Sequence, residues 1–157
     1  MNVQAAHVAQ RIRSELIELE RVLQRIQEGW KRAERAADDF YLDSVALNLH
    51  GFYSGLERIF EVIASNLDGS RPEGENWHQQ LLDQMAAEVL EIRPAVISKS
   101  SCKSLGEYRG FRHVVRNVYT YRFDTAKLKK LIEGLPGLFQ ELCAELSAFA
   151  DFVEKRP

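Results

Sequence analysis

The sequence of 157 residues has few cysteines, no long hydrophobic segment and almost no net charge. Its two cysteines, Cys102 and Cys143, are too few for a disulfide framework or a thiolate metal cluster, and we expect both to be small buried packing residues. No stretch approaches the roughly 18 continuous apolar residues of a membrane span. Gln4, His7 and Arg11 stand where a signal peptide needs apolar residues. These absences predict a cytoplasmic protein without a membrane partner.

The sequence also lacks the motifs of several common chemistries. Its nine glycines are scattered, so it has no glycine-rich loop of the kind that binds a nucleotide phosphate. The four histidines lie far apart, and none has a second His or a Cys at the spacing of a helical metal site. We therefore expect no metal and no cofactor. The net charge of -2 argues against indiscriminate binding of nucleic acid, so any anion site has to be local.

Hydrophobic residues at alternating spacings of four and three predict two long helices. The first series covers residues 5–37, and the second runs from Val45 to about Leu67, so the two helices are expected to pack as an antiparallel hairpin. No β-alternation of useful length is present. The sequence therefore predicts an all-α bundle of about five helices in a single domain, residues 1–157. The first series is Ala5, Ala9, Ile12, Leu16, Leu19, Leu23, Ile26, Trp30, Ala33 and Ala37.

Further residues of the second helix lie outside its hydrophobic series. Phe40, Leu47, Phe60 and Val62 predict that this helix packs against more than one partner. Tyr53 and Glu57 are four residues apart on another side of the helix. We interpret them as a buried hydrogen-bonded pair with a structural role.

Turn-forming residues predict the remaining helix boundaries. The loop 68–76 ends at Asn76, a potential cap for a third helix that includes Val89 and Leu90 and that Pro94 should interrupt or end. Within that helix, His78 is expected to be a surface or packing residue of the first turn. The polar residues 98–104 are expected to lead into a fourth helix.

The last helix has a predicted start and a predicted irregularity. Asp124 is the predicted N-cap, and the segment Gly134–Pro136 should break or kink the helix before it resumes.

The fourth helix carries the strongest indication of function. At about 100° per residue, its polar residues fall within roughly 140° of arc, and its apolar residues lie opposite. No acidic residue occurs between Tyr108 and Phe123. A phosphate-rich ligand would supply the missing negative charge, while the alternative is that the arginines pair with acids from other helices. The polar set is Arg109, Arg112, His113, Arg116, Asn117 and Thr120.

The residue types on this face indicate chemistry on a phosphate group. His113 can exchange a proton near neutral pH, and neighbouring guanidinium groups can hold a phosphate and stabilise the charge that develops on it. RNA cleavage without a metal needs these two kinds of group.

The segment from Phe111 to Tyr119, preceded by the helix that reads from Leu49 to Arg58, resembles the HEPN superfamily and specifically the HepT-like toxins. The resemblance spans most of the chain. It implies a compact helical bundle that forms a homodimer, with the motif helices of two subunits around a shared cleft, and many members are metal-independent RNases. It also implies a minimal nucleotidyltransferase antitoxin as partner. In some systems that enzyme adenylylates a tyrosine beside the motif.

The family motif fits this chain with one exchange. Arg112 takes the arginine position and Tyr119 takes the tyrosine position, whereas His113 and Asn117 appear in each other's place. The resemblance makes Tyr119 the candidate for adenylylation. Arg71 and His78 have a spacing that the motif allows, but a Pro/Gly loop separates them, so we treat that match as coincidence.

The resulting hypothesis is an endoribonuclease-type toxin of a toxin–antitoxin pair. His113 would act as general acid or base, Arg112 would stabilise the phosphorane-like charge, and Asn117 would orient the phosphate or the histidine. Arg109 and Arg116 would hold flanking phosphates. The alternative is a non-catalytic HEPN-like subunit that binds a nucleotide or RNA for a nucleotidyltransferase, and a structural helical adaptor ranks last.

Overall fold

The computed structural model describes residues 2–117, 119 and 124–156, apart from the side chain of Arg116. Within these residues the chain is all-α, as predicted, and an isolated bridge between Val89 and Arg93 is the one β-type contact. None of the described helices is long and apolar enough to cross a membrane. The elements are α1 (Val3–Ala36), α2 (Phe40–Ile63), a π-helical turn (Ala64–Asp68), α3 (Trp77–Met85), α4 (Lys99–Asn117) and α5 (Thr125–Glu154).

The predicted helical hairpin is formed by α1 and α2. The hydrophobic series of α1 is buried from Ala5 to Ile26, and Ala37, the residue that follows the helix, has the left-handed conformation. Two glycines let the helices approach closely, since a Cβ on Gly29 would lie 3.1 Å from Val45 and one on Gly55 would lie 2.7 Å from Leu19. The start of one helix therefore lies beside the end of the other, which confirms the antiparallel arrangement.

As predicted, α2 packs against more than one partner. It contacts α3 and α4 as well as α1, and Phe60 is fully buried while Val62 is partly buried. The prediction is wrong for Phe40 and Leu47, which expose 79% and 69% of their surface. These two residues lie in the half of α2 next to the hairpin turn, where the buried residues are Val45, Ala46 and Leu49.

The boundaries of α3 and α4 differ from the prediction. α3 ends at Met85, so Val89 and Leu90 lie in the following turns, and the side chain of Asn76 makes no capping hydrogen bond. α4 begins at Lys99, which makes the polar residues 100–104 helical. The reason is local: Ser98 Oγ accepts a hydrogen bond from Ser101 N and satisfies a backbone donor in the first turn.

The last helix begins as predicted but does not break. Asp124 Oδ1 accepts hydrogen bonds from the backbone N–H groups of Ala126 and Lys127. Pro136 lies inside one continuous helix, because buried residues on both sides of it, Leu135 and Leu138 among them, hold the two halves on the core. α5 packs against α1 and α4.

The two cysteines are less buried than predicted. Both thiols are free, and Cys102 and Cys143 each lie partly buried at the edge of the core. Burial raises the pKa of each thiol, with smaller contributions from the neighbouring acids Asp83 and Glu20.

Candidate functional site

The described residues of α4 have the two faces that the sequence predicts. Phe111 is buried, and Val114 and Val115 pack partly buried against the core. On the other side, polar residues of α4 line a cavity of about 370 Å³ together with residues from the start of α3. We call this cavity the α3–α4 cleft. Its lining residues are Glu75, Asn76, His78, Arg109, Arg112, His113 and Asn117.

Three helices contribute one chain of polar contacts at the cleft. The Nδ1 atom of His78 on α3 lies 2.5 Å from Oε2 of Glu57 on α2. Arg112 on α4 places Nη1 3.5 Å from His78 Nε2 and Nε 3.6 Å from Glu57 Oε1. The side chains of Glu57, Arg112 and His78 are 6%, 16% and 22% exposed, so the contacts run from the core to the cleft wall.

These contacts correct the interpretation of Tyr53 and Glu57 as a hydrogen-bonded pair. Tyr53 and Glu57 do not form a hydrogen-bonded pair, because the Glu57 carboxylate reaches His78 instead. The buried Tyr53 hydroxyl has no hydrogen-bond partner among the described residues. Burial raises the pKa of Tyr53, and the Glu57 carboxylate raises it further.

His78 is more than a packing residue of the first turn. It does stack on Trp77, with ring centroids 3.6 Å apart and 31° between the ring planes. However, its two ring nitrogens also contact Glu57 and Arg112. The sequence contained one indication of this contact. Glu57 is an acid within a stretch of core residues, and such an acid requires a buried partner.

The two arginines at the cleft have different surroundings. Arg112 faces the Glu57 carboxylate from α2, so the interpretation in which an acid from another helix pairs with the arginines applies to this residue. Arg109 forms no ion pair within the described part of the chain. The Nε atoms of both arginines are buried without a hydrogen-bond partner there, since Arg112 Nε lies 3.6 Å from the Glu57 carboxylate. An anion in the cleft would provide that partner.

His113 and Asn117 lie one turn apart on the exposed side of α4, as predicted. Asn117 Nδ2 donates a 2.8 Å hydrogen bond to the backbone oxygen of His113 and lies 3.4 Å from His113 Nδ1. The amide thus restricts the position of the imidazole at the rim of the cleft. The arrangement combines guanidinium groups with imidazoles around a space large enough for a phosphodiester.

The remaining predicted site residues lie at or beyond the end of α4. Tyr119 exposes 72% of its surface. The side chain of Arg116, and Thr120 as a whole, lie outside the described residues.

Comparison with known protein families gives one result that covers the site. A family model described as HepT-like protein matches residues 44–153, which is more than half of the chain and includes every residue that lines the cleft. Searches among curated proteins and among solved structures gave no match.

Proposed function

This chain belongs to the HepT-like protein family, and we propose that it is an endoribonuclease-type toxin of the HEPN superfamily that cleaves RNA at the α3–α4 cleft without a metal ion. The observation that carries the proposal is the convergence of Arg109, Arg112, His113 and Asn117 on one cavity. Guanidinium groups bind phosphate oxygens, and an imidazole transfers protons near neutral pH. Together they supply the groups that cleavage through the ribose 2′-hydroxyl requires.

In the proposed reaction the nucleophile is part of the substrate. The 2′-oxygen attacks the adjacent phosphorus, and the bond from phosphorus to the 5′-oxygen breaks, so no metal-bound water is needed. His113 acts as general acid or base, while Arg112 stabilises the additional negative charge on the phosphate. Arg109 and Arg116 bind flanking phosphates. The contact between Asn117 and His113 supports a role for Asn117 in orienting the imidazole.

The proposal includes a partner and a means of inactivation. HepT-like proteins generally pair with a nucleotidyltransferase antitoxin, and Tyr119 is a suitable acceptor because it is exposed and lies two residues beyond the end of α4. A nucleotide on this hydroxyl would add a phosphate and a large group close to the arginines of the cleft. A homodimer would place two such clefts together. Mass spectrometry after co-expression with the transferase tests this part, and an unmodified Tyr119 in a neutralised complex would exclude it.

The cleavage experiment uses purified protein and RNA in the presence of EDTA. We expect the wild-type protein to cleave RNA and expect His113→Ala and Arg112→Ala to lower the rate by about 100-fold or more. His7→Ala, which changes an exposed histidine of α1, is the matched control and should cleave like the wild type. No cleavage by the wild-type protein, or equal cleavage by all variants, contradicts the proposal.

A second function is favoured by the exchange of His113 and Asn117 relative to the family motif. In that case the chain binds a nucleotide or RNA for its nucleotidyltransferase partner and does not cut. Growth on expression separates the two functions. A toxin inhibits growth in a manner that requires His113, whereas a binding subunit leaves growth unchanged.

A further inference from the structure

We propose that His78 is a second proton-transfer group of the α3–α4 cleft, and that Glu57 positions it. This inference rests on the proposed cleavage of RNA and assigns separate roles to the two histidines of the cleft. His78 is the general base that takes the proton from the 2′-hydroxyl. His113 is the general acid that gives a proton to the leaving 5′-oxygen.

The first support is the orientation of the His78 ring. Its Nδ1 atom lies 2.5 Å from a carboxylate oxygen of Glu57, a contact in which the nitrogen carries the proton and the oxygen accepts it. The lone pair is then on Nε2, the atom that faces Arg112. An imidazole oriented by a carboxylate in this way is a recurring arrangement for a general base.

The second support is the position of Nε2 relative to the arginine that holds the phosphate. The 2′-oxygen and the phosphorus that it attacks are close neighbours in RNA, so the base has to lie beside the phosphate-binding group. His78 Nε2 is 3.5 Å from Arg112 Nη1, and both residues line the cavity. A phosphate bound to Arg112 would therefore bring its 2′-hydroxyl close to His78.

The third support is the burial of Glu57. Its side chain is 6% exposed, and a buried carboxylate is costly unless other groups pair with it. Within the described residues, the charged or titratable side chains that contact the Glu57 carboxylate are His78 and Arg112. The position of Glu57 therefore fixes the base and the phosphate-binding group relative to each other.

Charged and titratable groups from each neighbouring element contact His78 or line the cleft with it. α2 contributes an acid, α4 contributes two cations and a second imidazole, and the loop before α3 contributes another acid at the cleft. These groups are Glu57, Arg109, Arg112, His113 and Glu75.

The reaction balances without any further reagent. His78 Nε2 accepts the proton of the 2′-hydroxyl as the bond from the 2′-oxygen to phosphorus forms. The bond from phosphorus to the 5′-oxygen breaks, and the electron pair of that bond takes the proton that His113 carries. The products are a 2′,3′-cyclic phosphate and a 5′-hydroxyl, and proton exchange with water returns both histidines to their starting forms.

The test compares two substrates that differ at the leaving atom. One is a short RNA, and the other has sulfur in place of the bridging 5′-oxygen, so that its leaving group departs without a proton from the enzyme. On the RNA, we expect His78→Asn and His113→Ala each to lower the rate by about 100-fold or more. On the sulfur substrate His113→Ala should recover to within about tenfold of the wild type, because a general acid is no longer needed, and His78→Asn should not recover.

The positioning role of Glu57 has its own readout. Glu57→Gln keeps the size of the side chain, and we expect it to lower the rate at least tenfold and to alter the acid limb of the pH–rate profile, which reports the base. His7→Asn is the matched control. Circular dichroism and thermal unfolding verify that each variant is folded. If His78→Asn does not fold, the pH–rate profile of Glu57→Gln decides whether His78 is the general base.

The outcomes separate the two proposals. If the wild-type protein cleaves neither substrate, the proposed function fails and this inference fails with it. If the wild type cleaves and His113→Ala is impaired, but His78→Asn stays within about threefold of the wild type, only the assignment of His78 is overturned. Recovery of His78→Asn on the sulfur substrate also overturns it.

Discussion

Arg93 and Asp68 form a bidentate ion pair inside the protein, with Arg93 Nε 2.7 Å from Oδ1 and Nη2 2.8 Å from Oδ2. Their side chains are 0% and 4% exposed. Arg93 also donates hydrogen bonds to the backbone oxygens of Gln84, Ala87 and Pro94. One guanidinium thus joins the end of the π-helical turn to the segment between α3 and α4, the two helices that form the cleft.

Removal of one partner of this pair should destabilise the protein strongly. We expect Arg93→Met to lower the free energy of unfolding by about 3–5 kcal/mol, because it leaves Asp68 as a buried charge without a counter-ion. Urea unfolding measures the effect. Arg32→Met removes an exposed arginine paired with Glu28 and should cost less than about 1 kcal/mol. A loss of less than about 1 kcal/mol for Arg93→Met would show that the Arg93–Asp68 pair is not important for stability.

Two glycines of α2 should respond in opposite directions to alanine. A Cβ on Gly55 would lie 2.7 Å from Leu19 Cδ2 in the fully packed hairpin, so Gly55→Ala should destabilise the protein by about 1–3 kcal/mol. Gly51 has nothing within 4 Å of its added Cβ, and Gly51→Ala should stabilise by about 0.5–1 kcal/mol through helix propensity. Thermal unfolding of both variants is the measurement. A change of the same sign in both would contradict the close packing at Gly55.

The hydroxyl groups of two buried tyrosines should contribute differently to the stability of the protein. Tyr108 donates a 2.6 Å hydrogen bond to the backbone oxygen of Leu131, whereas the Tyr53 hydroxyl has no partner among the described residues. We expect Tyr108→Phe to cost about 1 kcal/mol and Tyr53→Phe to be neutral or stabilising. Denaturant midpoints of the two variants provide the test, and a larger loss for Tyr53→Phe would refute it.

Stability should fall at alkaline pH. Burial raises the pKa of both Tyr53 and Tyr108, and the nearby acids Glu57 and Glu107 raise it further. The folded protein then keeps protons that the unfolded chain loses above the ordinary tyrosine pKa of 10.0. Because the folded state binds more protons, the free energy of unfolding decreases as pH rises through this range, by about 1 kcal/mol per tyrosine and pH unit.

The pH prediction is tested with the double variant Tyr53→Phe, Tyr108→Phe. Its urea midpoint should change less between pH 8 and pH 11 than that of the wild type. Equal changes in the two proteins would show that other groups cause the alkaline loss.

Arg109 should contribute to binding of RNA in a salt-dependent manner. Its Nε is buried without a hydrogen-bond partner among the described residues, and it lines the cleft. We expect Arg109→Ala to weaken binding of a 2′-deoxy analogue, which cannot be cleaved, and to reduce the slope of log affinity against log salt by about one. Fluorescence anisotropy measures both quantities. Arg25→Ala on the exposed side of α1 is the control, and an unchanged slope for Arg109→Ala would exclude a phosphate contact.

Local patterns in the sequence predict much of the fold. The spacing of apolar residues identifies the hairpin, and the side chain of Asp124 determines the start of α5 through bonds to residues two and three positions away. The polar side of α4 is predictable for the same reason, because helical periodicity fixes which residues share a face. His113 and Asn117 are four residues apart and meet within that one helix.

Contacts between distant segments were not accessible from such patterns. Glu57 and His78 are 21 residues apart, and His78 and Arg112 are 34 apart, so their meeting depends on how three helices pack. The end of α3 likewise depends on tertiary structure, since Val96 N and Ile97 N both bond to the backbone oxygen of Met85. The polar groups that complete the cleft are therefore the part that the sequence did not predict.

The stacked rings of Trp77 and His78 have an optical consequence. The chain contains two tryptophans, and the indole of Trp77 lies 3.6 Å from the imidazole, measured between ring centroids. An imidazolium in contact with an indole quenches its fluorescence more strongly than a neutral imidazole does. In a Trp30→Phe variant the remaining emission therefore reports the protonation of His78 directly, in solution and without RNA.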